Sequence, residues 1–440
     1  MVDMSVAGHL DGSAAIMIGG VTIGSVLFDL LYWNFGFLRA GTGGLTAQAV
    51  GRKDLKECSL VFSRAFGIAL LCAAVILVLQ CLFFGVAMEF FSCSPEVHAL
   101  ASEYFFIRIW AAPATLSLMA FKGWFIGMQD TVSSMITDLV VNGTNILMSI
   151  VLALGVHVGQ YHWHGMGFAG IATGTVVAQY TGLLTAIILL GVKYRKRVFA
   201  DYGWADFKAS FRGGEMKRFF RMNSNLFVRS FCIILIYIGF TMISTGYGTM
   251  LMDVGAILMK LLMIFSFFTD GFAYAGEALS GKYVGAQDKE MFRVTVRHTF
   301  VWSMAVAGIL VVLYYIAGVP MLRLITSDEA VVAAAEPYLW WLLLMPFFGC
   351  AAFTWDGIYV GATTAKSIMW AMVWATVAFF GTYYGGMAIL QLIGKEKILA
   401  SGMDWMSLSL HLLMGGYFMH LFARTFYLSV KYKKHVLEKL

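Results

Sequence analysis

Apolar residues in this chain come in long unbroken runs, not in alternation. The runs cover roughly 15–45, 60–88, 103–127, 134–156, 166–192, 222–247, 250–283, 294–317, 334–361, 367–393 and 403–430. A helix of about 20 residues crosses a hydrocarbon layer about 30 Å thick. Barrel strands alternate over about 10 residues instead. The pattern predicts an all-α polytopic membrane protein with eleven full spans, preceded by a stub at residues 1–9.

Composition agrees. Of 440 residues, 60% are hydrophobic and 13% are charged, about half the charge usual for soluble domains. The net charge of +6 does not predict nucleic-acid binding, because Lys and Arg gather between spans and in the tail KYKKHVLEKL, where they orient helices. The long basic stretch 193–221 is predicted cytoplasmic, and parity puts the 50–57 loop and the tail on the same side. The 89–102 and 157–165 loops then fall outside, with Arg323, Lys395 and Lys397 against the trend. Six scattered cysteines form no CxxC pair and predict neither disulfides nor a metal site. His157, His162 and His164 read as a polar outer loop.

The chain repeats itself. GFLRAGTGGLTAQAVGRKD (36–54) matches GFAYAGEALSGKYVGAQD (271–288), with Leu45, Val50, Gly51 and Asp54 meeting Leu279, Val284, Gly285 and Asp288 at an offset of 234. Gly123, Gly127 and Met135 meet Gly357, Gly361 and Met369 at the same offset, and Pro113 meets Pro346 at 233. Residue 1 then corresponds to about residue 235, inside the span that begins near 222. A full repeat has twelve spans, so the first is expected to be shortened here, by truncation or by a start assigned downstream. Six spans per half is even, which predicts a parallel repeat: an N-terminal lobe (1–192), a basic linker (193–221) and a C-terminal lobe (222–440) facing each other across a V-shaped central cleft.

Charged side chains inside spans are costly, about 2.5–3.5 kcal/mol each on the gentlest scale, and mark ion or substrate pathways. Asp270 and Glu277 are seven residues apart, hence on one helical face. Asp3, Asp29 and Asp356 also lie in spans, with Asp138 nearer a helix end. Pro346, ten residues before Asp356, is expected to interrupt its helix. Lys260, Lys122, Arg39 and Arg229 are intramembrane bases that such acids can neutralise. Lys122 occupies the repeat position of Asp356, which predicts that the lobes divide their tasks. A buried carboxyl that titrates is a natural proton carrier, and one proton crossing 100 mV releases about 2.3 kcal/mol. There is no GxxxxGK[ST] nucleotide loop, so the driving energy is assigned to an ion, H+ in preference to Na+, and no cofactor is expected.

VDMSVAGHLDG, FLRAGTGGLTAQAVGRKD, DGFAYAGEALSGKYVGAQD and WDGIYVGAT together resemble the multidrug and toxic compound extrusion (MATE) family, in its DinF-like branch. The resemblance implies two six-helix lobes that exchange organic cations for H+ or Na+ in a bacterial inner membrane. It implies proton coupling at Asp3, a polar partner in Asn145, and a cation site at Asp356. Where many relatives carry an acid four residues after that asparagine, this chain has Ser149, which throws more of the role onto Asp3. The expected coupling set is thus Asp3, Asn145, Asp270, Glu277 and Asp356, with Asp29, Asp138, Arg39 and Lys122 as secondary candidates.

The expected activity is antiport of small amphipathic cations by a monomer embedded in the bilayer, not enzymatic catalysis. The alternatives are a lipid-linked saccharide flippase of the same superfamily and a shortened chain that does not transport. Motifs of a membrane metalloenzyme such as HExxH are absent.

Overall fold

The computed structural model describes residues 2–10, 13–91, 93–158, 161–211, 213–400 and 404–440. Among these the regular structure is helical except for a short hairpin, Val156–Val158 paired with Tyr161–Trp163. Among the described residues, eleven helical segments are long and apolar enough to cross a membrane, so the protein is an integral membrane protein. Their outward faces are apolar: Leu71 and Val78 of the second span are 63% and 80% exposed, which only a lipid solvent makes favourable.

Two compact units divide the chain, Met1–Phe220 and Arg221–Leu440. In the first, α1 (Val2–Ala7) is followed by α2 (Ala14–Trp33), α3 (Gly36–Gly51), α4 (Leu55–Met88), α5 (Pro95–Arg108), α6 (Ala112–Gly127), α7 (Thr131–Leu154), α8 (Phe168–Tyr194) and the short α9 (Trp204–Ser210). The run read as a single span at 15–45 breaks at Asn34 and Phe35. The Asn34 side chain donates back to Leu30 O at 3.1 Å, and such local bonding competes with the helical ladder. The basic 193–220 stretch folds onto this unit. Arg64 Nε donates to Ser210 O at 2.8 Å, Lys56 pairs with Asp206 at 3.1 Å, and Arg218 donates to Gln48 at 3.0 Å.

The second unit holds α10 (Gly214–Thr245), α11 (Thr249–Gly285), α12 (Lys289–Ile325), α13 (Glu329–Ala335), α14 (Leu339–Gly361), α15 (Ala365–Ile393), α16 (Lys395–Ala400) and α17 (Trp405–His435). The first few residues of α10 belong by packing to the first unit. Against expectation, α14 runs unbroken through Pro346. Each unit has its own core, built on Phe62, Phe121, Trp124 and Phe125 in one and on Leu258, Phe265, Met345 and Phe379 in the other.

The repeat is written into the backbone. Among the described residues, the non-glycine residues with positive φ are Lys53, Gln129, Gln287 and Thr363, two pairs at the 234-residue offset. They end corresponding helices α3, α6, α11 and α14. A methyl group on Gly123 would collide with Arg39 O, and one on Gly357 with Ala273 O. Gly127 abuts Gly43 O, Thr46 and Ala47, while Gly361 abuts Glu277 O, Ser280 and Gly281. Each of these partners also corresponds at 234. The α3–α6 and α11–α14 crossings are therefore the same contact made twice, backbone against backbone, and only glycine permits it.

Candidate functional site

In the first unit, four helices converge on Asp3. It lies on α1, which packs against α2, α7 and α8. Tyr104 Oη donates to Asp3 Oδ2 at 2.8 Å. Ser149 and Thr175 hydroxyls approach the two carboxylate oxygens at 3.4 Å each. Asn145 Nδ2 donates to Thr175 Oγ1 at 2.9 Å, which ties Asn145 to Asp3 through one hydroxyl. Behind Tyr104, Arg108 Nη1 donates to its Oη at 2.8 Å, and the guanidinium rests over the Phe28 ring at 4.7 Å.

The local sequence explains the convergence. Tyr104 and Arg108 are four apart on α5, as are Asn145 and Ser149 on α7, so each pair shares a face. The result is a carboxylate surrounded by hydroxyl donors, with one cation held at arm's length by a phenol. Such a group can take up a proton or a hard cation.

In the second unit the charges are packed more tightly. Asp356 on α14 is 4% exposed. Arg424 of α17 grips it with both sides of its fork, Nε to Oδ1 at 3.0 Å and Nη2 to Oδ2. Arg229 of α10 reaches Oδ2 at 2.6 Å. Arg424 is 1% exposed and stacks on Phe353 at 5.2 Å. Trp355 Nε1 donates to Ser429 at 2.8 Å and Tyr359 Oη to Leu428 O at 2.6 Å, so α14 and α17 are pinned on either side of the ion cluster.

The remaining candidates lie on several helices. Glu277, 1% exposed, is buried beside the Gly361 crossing, while Asp270 is half-buried on the same helix. Lys122 of α6 and Asp138 of α7 pair with each other, a mutual neutralisation. Arg39 lends its carbonyl to the α3–α6 crossing. Asp29 is exposed on α2, within electrostatic reach of Arg108. His157 faces His162 across the hairpin, but their side chains lie outside the described residues. Among the described residues no group of three His, Cys, Asp or Glu forms a metal site.

Sequence reasoning missed Tyr104, Arg108, Thr175 and Arg424. The arginines were findable, since the desolvation argument that selects intramembrane acids selects intramembrane guanidiniums equally.

At the cytoplasmic ends predicted from loop charge, Asp130 caps α7. It accepts from Ser133 N at 3.1 Å and from Lys193 at 3.0 Å and Tyr194 at 2.9 Å. Burial alone would raise its carboxyl, but the bonds from Ser133, Lys193 and Tyr194 prevail and hold it below the usual aspartate range.

The MatE family model matches residues 1–151 and 226–383. The DNA damage-inducible protein F of Escherichia coli is 30% identical over 416 residues, 94% of this chain and 85% of that protein. A probable multidrug resistance protein NorM of Photorhabdus laumondii is 22% identical, covering 84% of this chain and 79% of that protein. Among solved structures, an outward-facing multidrug resistance MATE family transporter of the MOP superfamily aligns over 100% of this chain and 92% of its own, with a TM-score of 0.82 at 15% identity. A MOP superfamily transporter from Pyrococcus furiosus, described as having a binding pocket of reverse polarity, aligns with a TM-score of 0.77 at 15% identity over 100% of this chain and 90% of its own. At these identities the structural likeness speaks to the fold.

Proposed function

The chain belongs to the MatE family, and on that premise we propose that it is a secondary active multidrug exporter. It exchanges small amphipathic cations for H+, or for Na+, by alternating access. Its place is a bacterial inner membrane, with the basic 193–221 stretch and the tail on the cytoplasmic side, as the charge distribution favours.

The observation that carries this reading is the Asp3 cluster. An acid in an apolar helical bundle, bonded to three hydroxyls and indirectly to Asn145, is a group whose charge state changes the packing of α1, α5, α7 and α8. Protonation removes the acceptor for the Tyr104 bond in its charged form and so biases a two-state helix arrangement. The names of the relatives supply the substrate class.

The test is efflux of a cationic dye from proteoliposomes under an imposed pH gradient. The wild-type chain is expected to export the dye only when the gradient is present, and Asp3→Asn to lose at least about tenfold in rate, corresponding to about 1.4 kcal/mol. Gradient-independent export, or an Asp3→Asn variant as fast as wild type, sinks the reading.

A second reading is favoured by the intramembrane arginines Arg108, Arg229 and Arg424. It is the flipping of an anionic lipid-linked substrate. Movement of a fluorescent anionic lipid in the same vesicles, without dye export, would select it.

A further inference from the structure

The charge balance around Asp356 carries a conclusion that rests on ion-coupled export yet goes beyond it. The family resemblance makes this position a cation site, and its surroundings do not fit that role. A carboxylate offers about four lone-pair sites. Arg424 Nε donates to Oδ1 at 3.0 Å, while Arg424 Nη2 and, at 2.6 Å, Arg229 stand in ion-pair contact with Oδ2.

Arg424 is also clamped from behind, with Phe353 at 5.2 Å. Bidentate guanidinium–carboxylate bonds are among the strongest a protein makes. An arriving Na+ must displace these guanidiniums to reach the carboxylate oxygens.

We propose that Arg229 and Arg424 are a built-in counter-cation of the second unit, occupying Asp356 and excluding Na+ from it. The first unit also pairs the charge at this repeat position, with the sign reversed and nearer the surface. There Lys122 stands in place of Asp356 and is held by Asp138. At this position each unit's charge already has a partner, so the ion exchanged for substrate is taken up elsewhere.

The experiment reads thermal unfolding of the purified full chain in detergent, in Na+ against K+ at equal ionic strength. It compares wild type, Asp356→Asn, Arg229→Gln and the double variant Arg229→Gln/Arg424→Gln. Wild type is expected to show no Na+-specific rise that depends on Asp356. The double variant, with the carboxylate freed, is expected to gain a Na+-specific rise of about 2–4 °C, and Arg229→Gln alone is not, because the Arg424 fork remains.

A wild-type Na+ response abolished by Asp356→Asn overturns the proposal, and so does a double variant that folds and stays indifferent to Na+. If the double variant does not fold, the wild-type and Asp356→Asn pair decides alone. Because this readout needs no transport, it stands even where dye export fails and the antiport reading falls with it.

Discussion

The two units share a scaffold and differ in where they put their charge. Carrying Asp3, Tyr104, Asn145 and Ser149 forward by 234 residues lands on Tyr237, Tyr338, Phe379 and Tyr383. The acid and amide of the first cluster have become aromatic in the second. Carrying Asp356 back lands on Lys122. Meanwhile the glycine crossings and the positive-φ turns correspond residue for residue. Backbone contacts tolerate no change of side chain, whereas a polar cluster can be dissolved and rebuilt on other helices. The comparison teaches that the duplicated part is mechanical. The part that differs is chemical: an acid among neutral hydroxyls in one unit, an acid locked between guanidiniums in the other.

Six substitutions probe that contrast. The largest effect is expected from Asp356→Asn, which leaves Arg229 and Arg424 without their carboxylate. Removing one partner of a buried ion cluster costs about 3–5 kcal/mol, read as a lower unfolding midpoint, whereas Asp3→Asn should lose transport with a much smaller loss of stability. If the two variants behave alike, the division of roles between the units is wrong.

Next come Gly123→Ala and Gly357→Ala. Each forces a methyl into a carbonyl that no rotamer change can move aside, at about 1–3 kcal/mol or more. The two costs should agree within experimental error if the crossings are one contact made twice, and a large disparity in midpoint would break the equivalence.

Tyr104→Phe removes the donor that bridges Arg108 to Asp3. About 1–3 kcal/mol is at stake where a buried group loses its partner. The expected readout is an altered pH profile of efflux, and an unchanged profile would reduce Tyr104 to packing.

The smallest effect concerns Asp130. Its carboxyl lies below the usual aspartate range in the folded chain. The stability it adds is therefore present above the ordinary aspartate value and is lost as pH falls through the lower folded one. Asp130→Ala should cost about 1 kcal/mol at pH 7 as a lost helix cap, and the gap to wild type should narrow as the medium is acidified toward pH 3.

Much of the fold was legible because lipid imposes it. All eleven spans follow from uninterrupted apolar runs, and their ends shift by a few residues where amphipathic turns such as 214–221 or 318–325 extend past the hydrocarbon-like stretch. The break at Asn34 was not legible, since it depends on one side chain bonding its own backbone. Asp3 was legible as an intramembrane acid, but its partners were not. Tyr104 and Thr175 are 101 and 172 residues away, and nothing in a local pattern reports a contact at that separation. Asp356 was legible as costly and not as clasped, because attention to carboxylates passed over the equal cost of Arg424.

The glycine crossings also limit what can bend. Where one helix rests its alpha carbons on another's carbonyl oxygens, no side chain lies between them to switch rotamer and no gap remains to be closed. Helices α3 with α6, and α11 with α14, are in effect welded struts. Any flexing during a working cycle has to be absorbed by helices outside these pairs, and hinge-seeking mutagenesis is best aimed there.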